Sequence, residues 1–398
     1  MAFSRDWLAS WRHSGDPAAD AAIEALCRDD AIGALNALYR RLGAAAVPRE
    51  ALPAEALRYF DCSDDLPGWA DPAKIAHASR VFMRHGVLGL ASLLCAALPE
   101  CYALADGARV LGLTQALTLH TRRRLYETAQ MVVEVLAPGG LAPGGRGVRV
   151  VQKVRLLHAA MRRLVSLDPA LAPQGPPDRL TTLLAQQAWD AARWGLPINQ
   201  EDLAFTLIAF DHVIRRSWAR LGLSLSTDDL DAYHHAWRVT GSLLGIDEAL
   251  LPDTRAESEA LYHAIVAHQA APSAPGVALT RALQGTLADT LRVPVLRTAV
   301  PQVLMHRLLD PGTRATLQIA PPPRLVGALG GCALSLADFY LDRRDEARQS
   351  VPALAHLGTY VGLRWVRRLT RLEGSARASL FELPPVLREA WGVEQGRR

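Results

Sequence analysis

Apolar residues recur at spacings of three and four along most of this chain, and this register is the feature that most constrains its fold. In one segment the register runs through Val150, Val154, Leu157, Met161, Leu164 and Val165, which together form one face of a helix. Sustained period-two alternation, the signal of strands, is nearly absent. The chain is also rich in Ala, Leu and Arg, which are strong helix formers. The sequence therefore predicts an all-α protein.

Three breaks rich in Pro and Gly interrupt the helical register, at residues 138–147, 169–177 and 320–323. The first two isolate the segment around residue 158 as a separate helix. We expect one all-helical domain over residues 1–320. Residues 321–398 are predicted to form a C-terminal helical extension packed on the same body.

Helix starts are visible in the side chains that cap them. Thr254 and Glu257 have the spacing of a capping box, and Ser226 precedes a run of acidic and apolar residues. Asn199 follows Gly195 and Pro197 and is predicted to cap the next helix.

Composition excludes some classes of function. The chain has 398 residues and 44 basic against 40 acidic side chains, and its arginines are spread along the sequence, so a nucleic-acid partner is not expected. The five cysteines form no C-x-x-C pair and their number is odd, which favours a reducing compartment and no thiolate metal site.

We expect a cytoplasmic protein with no transmembrane segment. Residues 1–7 show neither a basic nor an apolar signal region. The longest apolar runs, residues 86–98 and 325–337, are shorter than the roughly 20 residues that cross a bilayer, and they are predicted to be core helices.

His158 lies within the apolar face of its helix, where an imidazole is costly to bury without a partner. One interpretation is a hydrogen-bonded core histidine. The other is an axial ligand of haem iron, which needs a neutral imidazole in an apolar cleft. Arg155 and Arg162, at i−3 and i+4, would then bind the haem propionates. Periodicity alone leaves both interpretations open.

The preceding helix carries a comparable apolar stripe in which Arg124 and Thr128 take part, and Glu127 lies at its edge. Arg124 and Glu127 are spaced to meet as an i, i+3 pair. They form either a structural ion pair or a functional pair facing His158 across a cofactor, with Glu127 moving protons to or from bound oxygen or peroxide.

Other candidate motifs give weaker support for a functional site. Glu259 with His263, and Asp231 with His235, have the i, i+4 spacing of two metal ligands, but solvated helix pairs explain them better. No pair of Glu-x-x-His motifs suits a di-iron site. Nucleotide, P-loop, H-E-x-x-H and G-x-S-x-G motifs are also missing from the sequence.

At these residues the chain resembles the latex-clearing proteins, or rubber oxygenases, within a wider all-helical family that includes MpaB-like oxygenases. The similarity runs from about Trp11 to Leu309. It is carried by the order and spacing of several short segments, namely Gly15–Asp20, Leu66–Asp71, Leu98–Ala103, the segments around Arg124 and His158, Gly195–Leu203, and Ala232–Val239.

The resemblance implies a globin-like helical core, with additional helices at both ends, that holds haem b. It also implies cleavage of carbon–carbon double bonds in isoprenoid chains by molecular oxygen. His158 matches the proximal iron ligand, and Arg124 and Thr128 match the distal Arg and Thr. The rubber-cleaving members carry a Lys just before that Thr. Here Glu127 replaces it, which inverts the local charge.

The sequence thus predicts an intracellular haem oxygenase with Glu127, Arg124 and Thr128 as catalytic residues. Its expected partners are a hydrophobic, alkene-bearing small molecule and oxygen or peroxide, and an electron donor is a further candidate. Because a carboxylate can assist O–O cleavage, a peroxide-driven haem enzyme is an alternative. A haem-binding sensor without turnover is another.

Overall fold

The structure is a computed structural model, and it describes residues 3–26, 54–116, 121–166, 189–290 and 294–322. Helices account for nearly all regular structure in these ranges, which contain no strand and a single isolated bridge between Leu104 and Ala270. The all-α prediction is confirmed. The helices are α1 (Arg5–Trp11), α2 (Pro17–Leu26), α3 (Ala54–Ser63), α4 (Pro72–Ser92), α5 (Leu98–Ala103), α6 (Ala105–Ala116), α7 (Thr121–Leu136), α8 (Arg146–Val165), α9 (Ala191–Trp194), α10 (Gln200–Ile208), α11 (Ile214–Arg220), α12 (Thr227–Leu243), α13 (Arg255–Gln269), α14 (Ala274–Thr290), α15 (Pro294–Leu308) and α16 (Pro311–Thr316).

The predicted helix caps are confirmed. Thr254 and Glu257 form a reciprocal capping box at α13, and Ser226 forms one with Asp229 at α12. The Asn199 side chain accepts from the Asp202 N–H at the start of α10. Each of these contacts satisfies backbone donors that the first turn of a helix leaves without a partner.

Two π-helical turns, Leu93–Ala97 and Ala209–Val213, interrupt long helices and pack against each other. The first joins α4 to α5, and the second joins α10 to α11. The sequence predicted neither turn, because a π turn leaves the apolar spacing of the flanking helices nearly unchanged.

Pro72–Ala103 forms a continuous helix of 32 residues that is long and apolar enough, by length and composition, to cross a membrane. Most of its apolar window is buried inside the protein, as in the core helix of a soluble protein. The expected absence of a transmembrane segment was based on a shorter apolar run in this helix, and it stays a prediction.

The glycine-rich loop before α8 is packed against the end of α7. A Cβ placed on Gly140 would lie 2.0 Å from the carbonyl oxygen of Glu134. No side chain can be accommodated at that distance, so this turn requires glycine. The loop thereby joins α7 and α8 as packed neighbours, and these helices carry the predicted site.

The faces of α8 differ in part from the prediction. Gln152, which lies outside the apolar register, is buried, and its amide donates to Ser63 and Asp64 of the α3 region at 2.9 and 2.7 Å. The expected core positions Val150 and Val154 are half-buried. The reason is tertiary, because α3 covers the side of α8 that spacing alone assigns to solvent.

Several predictions fall on residues outside the description. They include the second Pro-rich break at 169–177 and all but the first two residues of the proposed C-terminal extension at 321–398, with its apolar run at 325–337.

Candidate functional site

The apolar stripes of α7 and α8 are incompletely covered where their polar members lie. His158 and its neighbour Leu157 are half-buried, as are Arg124 and Thr128 on α7. Deeper positions on both helices are fully buried. Because α7 packs on α8, the two helices present a partly open, mostly apolar surface with an imidazole and a guanidinium on it.

His158 is held as a neutral imidazole. Burial, and then the positive charges of Arg162 and Arg124, lower its pKa to about 4. Its Nδ1 atom is inaccessible to solvent and has no hydrogen-bond partner within the described residues. Nothing in that part of the chain therefore supports the interpretation of a hydrogen-bonded core histidine. A neutral ring is the form that binds a metal ion.

Arg155, one helical turn before His158, is held by Asp16. Its Nε donates to Asp16 Oδ2 at 2.5 Å and its Nη2 to Asp16 Oδ1 at 2.8 Å, and Nη1 reaches the Leu243 carbonyl at 3.3 Å. The guanidinium also lies 5.5 Å from the centre of the Tyr59 ring. All three nitrogens are therefore engaged inside the protein.

Arg162, one turn after His158, is engaged in the same way by the next acid along the chain. Its Nε donates to Asp20 at 3.0 Å and its Nη1 to the Ile198 carbonyl at 2.5 Å. Ile198 has a φ of 54°, which is rare for a β-branched residue. The predicted propionate role of Arg155 and Arg162 stays a prediction, and binding a propionate would require each to share or leave its present acid.

Gly245 makes the Asp16–Arg155 contact possible. Its φ is 78°, and a Cβ there would lie 2.4 Å from Asp16 Oδ2 and 2.5 Å from Arg155 Nε. Because glycine has no side chain, the turn after α12 leaves the space that this ion pair occupies. The sequence did not predict this contact.

The three predicted catalytic residues lie along α7, next to α8. The charge of Arg124 acts on His158 strongly enough to lower its pKa, so the two residues are brought together. Thr128 donates its hydroxyl to the Arg124 carbonyl at 3.0 Å, a bond within the helix. The Glu127 side chain is exposed, rather than half-buried at the edge of the stripe.

The described residues fit a haem at the iron ligand. A porphyrin supplies four nitrogen ligands itself, so the protein needs to supply one imidazole, and His158 is neutral with no competing hydrogen bond to Nδ1. The half-buried Val154 and Leu157 beside it suit an apolar macrocycle. No three metal-ligating side chains converge within the described residues.

The other candidate pairs behave as solvated or structural groups. Glu259 and His263 are exposed and 3.9 Å apart. Asp231 binds Arg255 at 2.5 Å, while His235 accepts the Asp71 N–H at 2.8 Å. Neither predicted pair therefore forms a shared ligand set.

Sequence reasoning missed Asp16 and Asp20 as partners of the helix that carries His158. A signal was present, since the two acids are one helical turn apart and Arg155 and Arg162 are two turns apart. Pairing the two sets across more than 130 residues requires the tertiary structure.

The fold and the surface formed by α7 and α8 define an all-α protein that carries a neutral imidazole on a partly open, mostly apolar face. Comparison with known proteins agrees. Residues 76–398 match the family model described as ER-bound oxygenase mpaB/B'/Rubber oxygenase, catalytic domain. The chain belongs to this family.

Two relatives illustrate the range of similarity. A rubber oxygenase from Streptomyces sp. (strain K30) is 26% identical over 292 residues, which cover 69% of this chain and 63% of that protein. The chain therefore matches less than two thirds of that relative's length. A solved structure of latex clearing protein LCP in the closed state shares the fold, with a TM-score of 0.69 and 20% identity over 89% of this chain and 91% of the other.

Proposed function

We propose that this protein is a haem b oxygenase that oxidises a hydrophobic, alkene-bearing small molecule, with His158 as the protein ligand of the iron. Family membership supports an oxygenase. The observation that carries the assignment of His158 is its buried, unpartnered Nδ1 on a half-covered apolar face. A haem bound there would supply the activation of oxygen.

Residues of the chain would bind the iron, supply charge and transfer protons. His158, as a neutral imidazole, would bind the iron. Arg124, whose charge lowers the pKa of His158, would supply a positive charge to the same surface. Glu127 would transfer protons, and Thr128 could donate a hydrogen bond after releasing the Arg124 carbonyl.

An apolar, alkene-bearing substrate suits the surroundings of His158. The half-buried side chains Val150, Val154 and Leu157 offer it contact area, and half-buried Leu113 of α6 packs against the same cluster as Leu157. Cleavage of an isoprenoid double bond is part of this proposal, and the chain's similarity to a rubber oxygenase supports it.

The test is the absorption spectrum of protein loaded with haem. Wild type should show a Soret band, and His158→Ala should lose or shift it, while the exposed His263→Ala should leave it unchanged. A His158→Gly variant should regain the band with added imidazole, because the free ring can enter the vacated space. An identical spectrum in wild type and His158→Ala would remove His158 from this role.

Peroxide as the oxidant is a second candidate, favoured by one observation. A carboxylate, Glu127, follows Arg124 by three residues and is exposed at the site, and a carboxylate can act as the acid–base group of O–O cleavage. Turnover with oxygen and a reductant, compared with turnover with hydrogen peroxide, separates the two. Tight binding of carbon monoxide without product from any alkene would instead indicate a sensor.

Location in the cytoplasm, the absence of a membrane span and the need for an electron donor remain predictions. Fractionation of cells expressing the whole 398-residue chain tests the first two. Protein that stays in the membrane fraction after a high-salt and carbonate wash would contradict them.

A further inference from the structure

A second cavity, of about 510 Å³, lies away from His158, between the start of α4, the middle of α12 and the start of α13. His235, on its wall, precedes Leu243 by eight residues, or about 12 Å of helix rise. Leu243 is where Arg155 of the first site reaches α12. The two sites are therefore separate, and the proposed oxygenase chemistry does not use this cavity.

The floor of the cavity is built on a buried carboxylate that holds two basic side chains. Asp211, which is 3% exposed, accepts from Arg215 Nε and Nη2 at 2.7 and 2.8 Å and from His234 Nδ1 at 2.7 Å. His234 Nε2 faces the Pro252 carbonyl at 3.2 Å. The Asp211 carboxylate and the Pro252 carbonyl thus hold the two ring nitrogens of His234 from opposite sides.

One carboxylate therefore serves both Arg215 and His234. Burial alone would raise the pKa of Asp211, but Arg215 and His234 outweigh it and hold that pKa well below its usual range. Arg215 is itself 8% exposed and lines the cavity. Its third nitrogen, Nη1, has no hydrogen bond within the described residues, so a buried guanidinium donor remains available to a ligand.

Other donors converge on the same space. Lys74 lines the cavity and makes no close ion pair with any described residue, and its charge contributes to a lowered pKa of the helix-capping Asp71. Thr254, Arg255 and Ala256 open the 15-residue helix α13 there. The capping box satisfies the N–H of Glu257, and the N–H groups of Arg255 and Ala256 meet no acceptor in the described residues.

The acids of the cavity wall are mostly neutralised by cations of their own. Asp231 binds Arg255 at 2.5 Å, and Asp253 binds Arg238. Glu259 has His263 at 3.9 Å, with both side chains exposed. His235, which accepts the Asp71 N–H, is neutral and adds no charge. Lys74 and the Arg215 Nη1 donor are thus the cationic groups of the cavity left for an anion, with Glu259 opposing them.

We propose that this cavity binds the phosphate group of a phosphorylated small molecule or of a lipid headgroup. A phosphate has three terminal oxygens to accept from the guanidinium, the ammonium and the helix N–H groups, whereas a carboxylate has two. The volume falls in the usual range for small-molecule sites and leaves room for the polar body that carries the phosphate.

The test uses the whole chain and two exposed variants that should fold normally. Glycerol 3-phosphate, titrated by calorimetry and by ³¹P NMR, should bind wild type. Lys74→Gln should weaken binding about fivefold, the worth of one screened charge pair. Glu259→Gln should tighten it about twofold by removing repulsion. Arg80→Gln, an equal charge change on the same helix but outside the cavity, should leave the affinity unchanged.

A second experiment distinguishes a soluble phosphate ester from a lipid headgroup. It measures binding of the protein to vesicles of phosphatidylcholine that contain phosphatidic acid. Saturable binding of glycerol 3-phosphate indicates a soluble ligand. Sedimentation with the vesicles that depends on Lys74, without binding of the soluble ester, indicates a headgroup. Failure of both probes, or equal affinities in wild type, Lys74→Gln and Glu259→Gln, overturns the proposal. None of these measurements needs haem, so the result is independent of the proposed oxygenase function.

Discussion

Asp16 and Arg155 are 139 residues apart in the sequence, and their side chains form a two-point ion pair that fastens the N-terminal segment to the helix bearing His158. Asp20 and Arg162 repeat the arrangement two turns further along α8. The two basic neighbours of His158 are thus both held by acids from one short segment. This sets the position of the helix and part of the charge around the imidazole.

Removing the first acid should destabilise the protein. In Asp16→Asn the half-buried Arg155 loses its counter-charge, so we expect the free energy of unfolding to fall by about 2–4 kcal/mol. Urea denaturation followed by circular dichroism measures it. The exposed Asp6→Asn on α1 is the matched control and should change the midpoint little. Equal midpoints for wild type and Asp16→Asn would show that the pair contributes nothing.

Two glycine substitutions should act in opposite directions. Gly140→Ala places a Cβ against the Glu134 carbonyl, so we expect a loss of about 3 kcal/mol or more. Gly285→Ala, on an exposed position of α14 with open space around it, should gain about 0.5–1 kcal/mol from helix propensity. Thermal melting of both proteins checks the pair, and a stable Gly140→Ala would contradict the tight turn described before α8.

Stability should depend on pH through Asp202, which lies beside Arg12, Glu201 and Asp106. Burial raises its pKa to about 6, against the opposing charge of Arg12, from 3.8 in the unfolded chain. The folded state therefore keeps a proton that the unfolded chain releases. The stability due to this group is complete below pH 3.8 and is lost as the pH rises through 6.

Asp202→Asn carries a neutral amide in place of the protonated acid and should remove this dependence. Relative to wild type, the variant should gain about 1–3 kcal/mol between pH 4 and pH 7. The exposed Asp228→Asn is the control. Parallel stability curves for wild type and Asp202→Asn would exclude a raised pKa at this position.

Glu127 should matter for turnover and not for haem binding, if it transfers protons as proposed. Glu127→Gln should keep the Soret band and lower the turnover number about 10²-fold or more, as expected for loss of a general acid–base group. Glu24→Gln, an equal change at an exposed position of α2, should keep full activity. Unchanged turnover in Glu127→Gln would assign this carboxylate to the solvated surface where the structure exposes it.

The local features of this protein were readable in its sequence. Apolar spacing predicted the helices, and Thr254, Ser226 and Asn199 predicted where three of them begin, because caps and helix faces depend on residues within a few positions of one another. The same spacing placed His158 and Arg124 on the inner stripes of neighbouring helices. The family resemblance then suggested what an imidazole at that place could hold.

The tertiary structure decided what these residues contact. Gln152 is buried because α3 covers it, and Arg155 and Arg162 are engaged because Asp16 and Asp20 reach them from the other end of the chain. The second cavity, where we propose phosphate binding, is likewise formed by segments far apart in the sequence, namely α4, α12 and α13. Spacing along a helix determines which side chains share a face. It does not determine which distant segment will neutralise a charge there, because that choice depends on packing and electrostatics across the whole core.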